Sequence, residues 1–100
     1  MKLSYSLQSI LDLENILNYI AKNSSNNALL YTEFLRDKIS KLSKSPFIGI
    51  ECKYKKINRD CRVYIIDSYL VFYTVKSNEI IIRRVLHGSR DYKKEFKNDY

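Results

Sequence analysis

The sequence predicts an α+β fold: an antiparallel hairpin of two helices packed on an antiparallel β-meander of about four strands, with a short N-terminal strand as an optional addition. Three observations predict it. Apolar residues recur at three- and four-residue spacing through the first 42 residues, β-branched and aromatic runs take over after Gly49, and the turns between those runs are two or three residues long. A chain of 100 residues has the size of one domain, so residues 1–100 are read as a single unit.

Met1-Lys2-Leu3-Ser4-Tyr5 alternates weakly, and propensity leaves a strand there open. From Leu7 the residues Ile10, Leu11, Leu13, Ile16, Leu17, Ile20 and Ala21 paint one face of a first helix. The polar cluster Asn23-Ser24-Ser25-Asn26-Asn27 breaks it, because short polar side chains compete for backbone hydrogen bonds and cap the helix that follows. A second stripe runs through Ala28, Tyr31, Leu35, Ile39 and Leu42 with Phe34 beside it, and ends before Ser45-Pro46. Proline disfavours helix at the residue preceding it. A short loop between the two helices makes them antiparallel neighbours.

The strands are expected at Cys52–Ile57, Cys61–Ile66, Tyr69–Val75 and Glu79–His87. Asn58-Arg59-Asp60, Asp67-Ser68 and Lys76-Ser77-Asn78 supply the turns, and connections this short join antiparallel neighbours. In the last strand Ile80, Ile82, Arg84 and Leu86 share one face, and Ile81, Arg83, Val85 and His87 the other. The expectation is that Ile80, Ile82 and Leu86 face the helices. Arg83 and His87 then lie on an open face available for function, and Arg84 needs a partner or an exit to solvent.

The formal net charge is +7. Residues 1–50 carry six basic and four acidic side chains and residues 51–100 twelve and seven, so most of the basic excess lies in the second half. Such a surplus favours an acidic partner, and equally serves as a solvated face. Cys52 and Cys61, with a single histidine, lack the ligand count for structural zinc, so no metal and no cofactor is expected. Lys2 is followed by Leu3-Ser4-Tyr5-Ser6-Leu7-Gln8-Ser9, without the apolar core of a secretion signal. A reduced, cytoplasmic chain is therefore expected. Free thiols are the default, and pairing across a hairpin stays open. No apolar run approaches the ~20 residues that span a bilayer, so no membrane partner is expected.

Tyr69-Leu70-Val71-Phe72-Tyr73, followed by Arg84-Val85-Leu86-His87-Gly88-Ser89-Arg90-Asp91, resembles the C-terminal signature of ParE-type toxins in the RelE/ParE superfamily. Arg62 matches the arginine that often precedes the family's aromatic strand. Looser matches are Asp12-Leu13 and Tyr19-Ile20-Ala21 in the first helix, and Leu42, Pro46 and Gly49 at the helix-to-sheet junction. The resemblance spans roughly residues 7–92. It implies the toxin of a type II toxin–antitoxin system, neutralised by a cognate protein antitoxin, with DNA gyrase as the target of ParE-type members. RelE-type members instead cut messenger RNA on the ribosome, and a degenerate toxin would retain antitoxin binding alone. The shared fold does not choose among these.

Messenger cleavage requires a base or acid near the 2′-hydroxyl and cations for the phosphorane-like transition state. The candidates are Glu51, Arg62, Arg83, Arg84, His87, Arg90 and Tyr92, with Arg83, His87, Arg62 and Arg90 foremost. Arg83 and His87 are separated by about 13 Å along the strand, too far to share one phosphate. Nuclease members usually present an arginine where this chain has Tyr69 and Leu70. As binding residues for a protein target, Arg83, Arg84, His87, Arg90 and Tyr92 are the candidates. The structural alternatives are a histidine that fixes a turn, an Arg84 paired internally, and an Arg90-Asp91 pair that finishes the sheet.

Antitoxin binding is expected on an exposed stretch of the helix hairpin, with Leu13, Leu17, Tyr31, Phe34 and Leu35 as candidates, or at an unpaired sheet edge. The same stripes serve as core or as a contact between copies of the chain. Lys53, Lys55, Lys56, Arg59 and Arg62 interleave with Tyr54 and Tyr64, a pattern that suits base stacking only if these side chains share a surface.

Overall fold

The computed structural model describes residues 1–89. In chain order the elements are β1 (Lys2–Tyr5), α1 (Leu7–Ala21), α2 (Ser25–Ser40), β2 (Ile50–Glu51), β3 (Arg62–Ile66), β4 (Tyr69–Lys76) and β5 (Glu79–His87). Both helices start on a serine cap. Ser6 Oγ accepts the Ser9 N–H and Ser24 Oγ accepts the Asn27 N–H, each at 3.2 Å. Ser25, Asn26 and Asn27 thus form the first turn of α2, and the break between the helices narrows to residues 22–24. α2 tightens into a 3-10 turn at Lys41–Ser43, which keeps Leu42 buried on the stripe.

The five strands form one mixed sheet in the order β1-β5-β4-β3-β2. β2 to β5 make the antiparallel meander, and the β4–β5 turn at Ser77 and Asn78 takes positive φ at both residues, as a tight two-residue hairpin requires. The N-terminal segment is a strand. It pairs parallel with β5, Lys2 opposite Glu79 through Tyr5 opposite Ile82, and the helices lie in the long connection that a parallel pair needs.

Two expectations are corrected at the start of the meander. Cys52–Ile57 is not a strand: β2 stops at Glu51, Cys52–Lys55 form a 3-10 turn, and Lys56 adopts a left-handed conformation with φ 60°. Only Cys52 and Ile57 of that segment are buried, a spacing of five that no strand face can use. Cys52 and Cys61 are joined in a disulfide and are not free thiols. The Cys52 N–H donates to the Cys61 carbonyl at 2.9 Å, which sets the two residues opposite each other with Cα atoms 5.3 Å apart, inside the range a disulfide spans.

The helix layer meets the sheet through Leu13, Ile16, Leu35, Ile39 and Leu42 against Ile66, Val71, Tyr73, Ile80, Ile82 and Val85. Each such aliphatic side chain contributes about 1.5–3 kcal/mol by leaving water. At the junction Tyr73 is fully buried. Its hydroxyl donates to the Pro46 carbonyl at 2.8 Å and accepts the Gly49 N–H at 2.9 Å. The far face of the sheet is not open throughout. Val63, Leu70, Phe72 and Leu86 form a second cluster there, capped by Cys52, Ile57 and Cys61 of the 52–61 segment.

Candidate functional site

The register between β4 and β5 slips once: Phe72 faces Arg84, whereas Tyr73 faces Ile82. Arg83 is therefore an extra residue in β5, a bulge, and it reverses the alternation beyond it. Ile80 and Ile82 point to the helices before the bulge and Val85 does so after it, while Leu86 joins the far-face cluster with Phe72. Leu86 does not share a face with Ile80 and Ile82 as a regular strand would have it.

Arg84, opposite Phe72, turns to the outer edge of β5 beyond the end of β1. There Asp12 of α1 receives its fork, Nε on Oδ2 at 2.9 Å and Nη2 on Oδ1 at 3.0 Å. The same Oδ2 accepts the Val85 N–H at 2.9 Å, which stands where a neighbouring strand would otherwise pair. The residue is 5% exposed, so as a target-binding candidate Arg84 offers almost no surface. A fork-shaped cation in a dry site needs both carboxylate oxygens, and Asp12 supplies them.

Arg83 is half-buried and its Nε donates to Thr74 Oγ1 at 3.2 Å, on the side of the sheet away from the helices. His87, exposed at the end of β5, pairs with Tyr69, and their rings meet edge to face with centroids 5.2 Å apart. Tyr69 stacks in turn near Tyr31 of α2, and Tyr31 near Phe34, at 6.0 and 5.8 Å. His87 thus lies on the helix side, and the bulge separates it from Arg83. The expected common face for these two residues is corrected. His87 Nδ1 accepts the Ser89 N–H at 3.1 Å and lies 2.7 Å from Ser89 Oγ, while the Gly88 N–H donates to the Ser68 carbonyl at 2.8 Å. The imidazole fixes the turn that leaves the sheet.

Arg62 sits opposite Tyr73, at the other end of the meander from the Tyr69–His87 pair. The two positions lie four steps apart along β4, about 13 Å. Its guanidinium donates to the carbonyls of Gly49 at 2.7 Å and Phe47 at 3.2 Å, approaches Glu51 Oε1 at 3.5 Å, and lies over the Phe47 ring. Glu51 also pairs with Lys53 at 3.0 Å. Arg62 thereby braces the segment leading into β2. The nuclease candidates are not brought together: Arg62, Arg83 and His87 occupy different faces or ends. Arg90 and Tyr92 lie outside the described residues.

The antitoxin candidates divide by burial. Leu13 and Leu35, at 3% and 0% exposure, are core residues that hold the layers together and present no surface, which corrects their assignment as contacts. Leu17 and Tyr31 are half-buried, and Phe34 is 41% exposed. The pattern missed Leu30, 57% exposed, which with Ile20, Asn27, Tyr31 and Phe34 lines a shallow apolar cleft. A second cleft continues from Phe34 and Lys38 onto Tyr64, Ile65 and Asp67. β2 pairs only with Arg62 and Val63, so the β3 edge from Tyr64 to Ile66 carries no neighbouring strand among the described residues. The sequence signal for both was an apolar residue off the stripe or on the outer alternation, Leu30 and Ile65. Tyr31 Oη donates to Asp67 Oδ2 at 2.8 Å across this groove, and burial, then that bond and the nearby carboxylate charge, push the Tyr31 phenol upward.

The basic 53–60 segment borders a cleft of about 720 Å³ together with Phe47 and Arg62. Tyr54 is exposed under Lys53, whereas Tyr64 packs on the helix side of the sheet. The lysines and the two tyrosines do not share one surface for base stacking. Among the described residues no group of three acidic, histidine or cysteine side chains could hold a metal ion, and no helix is long and apolar enough to cross a membrane.

The family model described as "ParE toxin of type II toxin-antitoxin system, parDE" matches residues 3–92. A solved structure described as "Chromosomal ParDE TA system from P. aeruginosa" contains a chain of similar fold, with a TM-score of 0.74 and 18% sequence identity over 87% of this chain and 95% of that one. No curated protein matches the sequence.

Proposed function

The chain belongs to the ParE toxin family of type II toxin–antitoxin systems, and on that premise we propose that it arrests growth by binding DNA gyrase and trapping it on DNA, not by cutting messenger RNA. The observation that carries the choice is the bulge at Arg83. It sends Arg83 and His87 to opposite faces, and Arg62 is spent on backbone carbonyls at the other end of the sheet. A phosphorane-like transition state needs converging cations and a proton carrier within hydrogen-bond reach, and these three side chains do not converge. Poisoning by binding needs only a stable surface. The reading puts the chain in the cytoplasm, where gyrase works.

A cognate antitoxin completes the reading. The groove from Leu30 and Phe34 to Ile65 has apolar anchors, Lys38 on its rim, and the free β3 edge at its end. Those features suit an amphipathic helix that continues into an extended segment with acidic side chains. Expression without antitoxin should arrest growth, and purified protein should inhibit gyrase supercoiling. Absence of both from a folded protein overturns the reading. Mapping messenger ends after induction tests the nuclease alternative, which new cuts abolished by Arg83→Ala or His87→Ala would establish.

A further inference from the structure

Cys52 and Cys61 close a ring around the most basic stretch of the described chain. Within 53–60 only Ile57 is buried, while Lys53, Tyr54, Lys56 and Arg59 are exposed. The backbone hydrogen bonds of this stretch are local: Lys56 N–H to Lys53, Ile57 N–H to Cys52, Arg59 N–H to Ile57 and Cys61 N–H to Arg59. The cystine at its base, the Lys53–Glu51 pair at 3.0 Å and Ile57, which joins Val63, Phe72 and Leu86 in the far-face cluster, are among the contacts that attach it to the sheet. Lys56 also holds a left-handed φ of 60°, a conformation that side chains with a Cβ adopt at a cost.

We propose that Cys52 and Cys61 form a thiol–disulfide switch that clamps the basic 53–60 loop over the far face of the sheet when oxidised and releases it when reduced. In a reducing compartment the pair starts as two thiols. Cys61 is the less buried of the two and is the point of entry. Its thiolate attacks a small-molecule disulfide, forming a mixed disulfide and expelling one thiolate. The Cys52 thiolate then attacks the Cys61 sulfur and expels the second. The protein loses two electrons and two protons, and the oxidant leaves as two thiols. A dithiol reductant reverses both steps. In the reduced form Ile57 can withdraw, and Val63, Phe72 and Leu86 lose their cover.

The loop supplies its own probe, because Lys53, Lys55, Lys56 and Arg59 are trypsin sites. The full-length protein is treated with oxidised glutathione or with dithiothreitol, its mass is checked for the loss of two hydrogens, and limited tryptic cleavage is mapped. Cleavage inside 53–60 should be roughly tenfold faster or more in the reduced protein, with helical circular dichroism unchanged. Cys52→Ser/Cys61→Ser should be cleaved at the fast rate with or without reductant. Hydrogen exchange of the unsubstituted protein in the two redox states needs no variant, and should show faster exchange in 53–60 on reduction. Failure of the oxidant to form the disulfide, or equal cleavage and exchange in the two states, overturns the proposal.

Discussion

Asp12 and Arg84 tie the first helix to the last strand through one carboxylate that serves the Arg84 fork and the Val85 N–H together. Both side chains are 6% exposed, so removing Asp12 takes the forked carboxylate away from a cation in a dry site. Asp12→Ala should cost about 3–5 kcal/mol in urea unfolding, and Asp12→Ala combined with Arg84→Met distinctly less, because the buried charge is then gone. Equal losses in the single and double variants would mean that the ion pair is not what the site depends on.

Tyr73 and Gly49 make the second buried polar joint. Tyr73→Phe leaves the Pro46 carbonyl and the Gly49 N–H without their shared partner, and should cost about 1–3 kcal/mol. A Cβ on Gly49 would stand 2.6 Å from the Tyr73 hydroxyl and 2.9 Å from the Val63 carbonyl, and neither can move aside freely. Gly49→Ala should lower stability by a similar amount, about 1–3 kcal/mol, through overpacking. Chemical denaturation of both variants checks the pair.

The tyrosines set an alkaline limit. Burial raises Tyr5, Tyr31, Tyr69 and Tyr73 above the ordinary 10.0, and the Asp67 bond and charge add to the rise at Tyr31. A raised folded value means that the unfolded chain releases its phenolic protons first as pH climbs. The stability these groups contribute is therefore complete below about pH 10 and falls above it. Denaturant midpoints measured from pH 8 to 11.5 should be level and then decline, and Tyr31→Phe should shallow the decline.

On the helix hairpin, exposed and buried leucines should behave oppositely. Phe34→Glu and Leu30→Glu should weaken binding of the cognate antitoxin by roughly tenfold to a hundredfold with the fold intact. Leu35→Ala, in the core, should instead cost about 2–5 kcal/mol of stability. Calorimetric titration and thermal unfolding of the same variants separate the two effects. Unchanged antitoxin affinity in both glutamate variants would move the antitoxin off this groove.

The helices, the meander from Arg62 onward and the stripe through Leu35 and Ile39 were legible because each rests on local periodicity. Cys52–Ile57 misled because its β-prone composition is overridden by two long-range constraints, the tether of Cys52 to Cys61 and the burial of Ile57. Strict alternation placed Arg83 and His87 together, and one inserted residue in β5 undid it. A bulge carries no compositional signature in Ile-Arg-Arg-Val. The need of Arg84 for a partner was visible. That Asp12, 72 positions away, provides it depends on how α1 crosses the edge of β5.

Action by gyrase binding and not by catalysis can be read from purified gyrase and plasmid DNA incubated with the purified protein and quenched with detergent. Linear, protein-linked DNA should accumulate with rising toxin concentration and be suppressed by the cognate antitoxin. His87→Ala should retain this activity. No linear DNA from a protein that arrests growth, together with ribosome-dependent messenger cuts lost in His87→Ala, would contradict it.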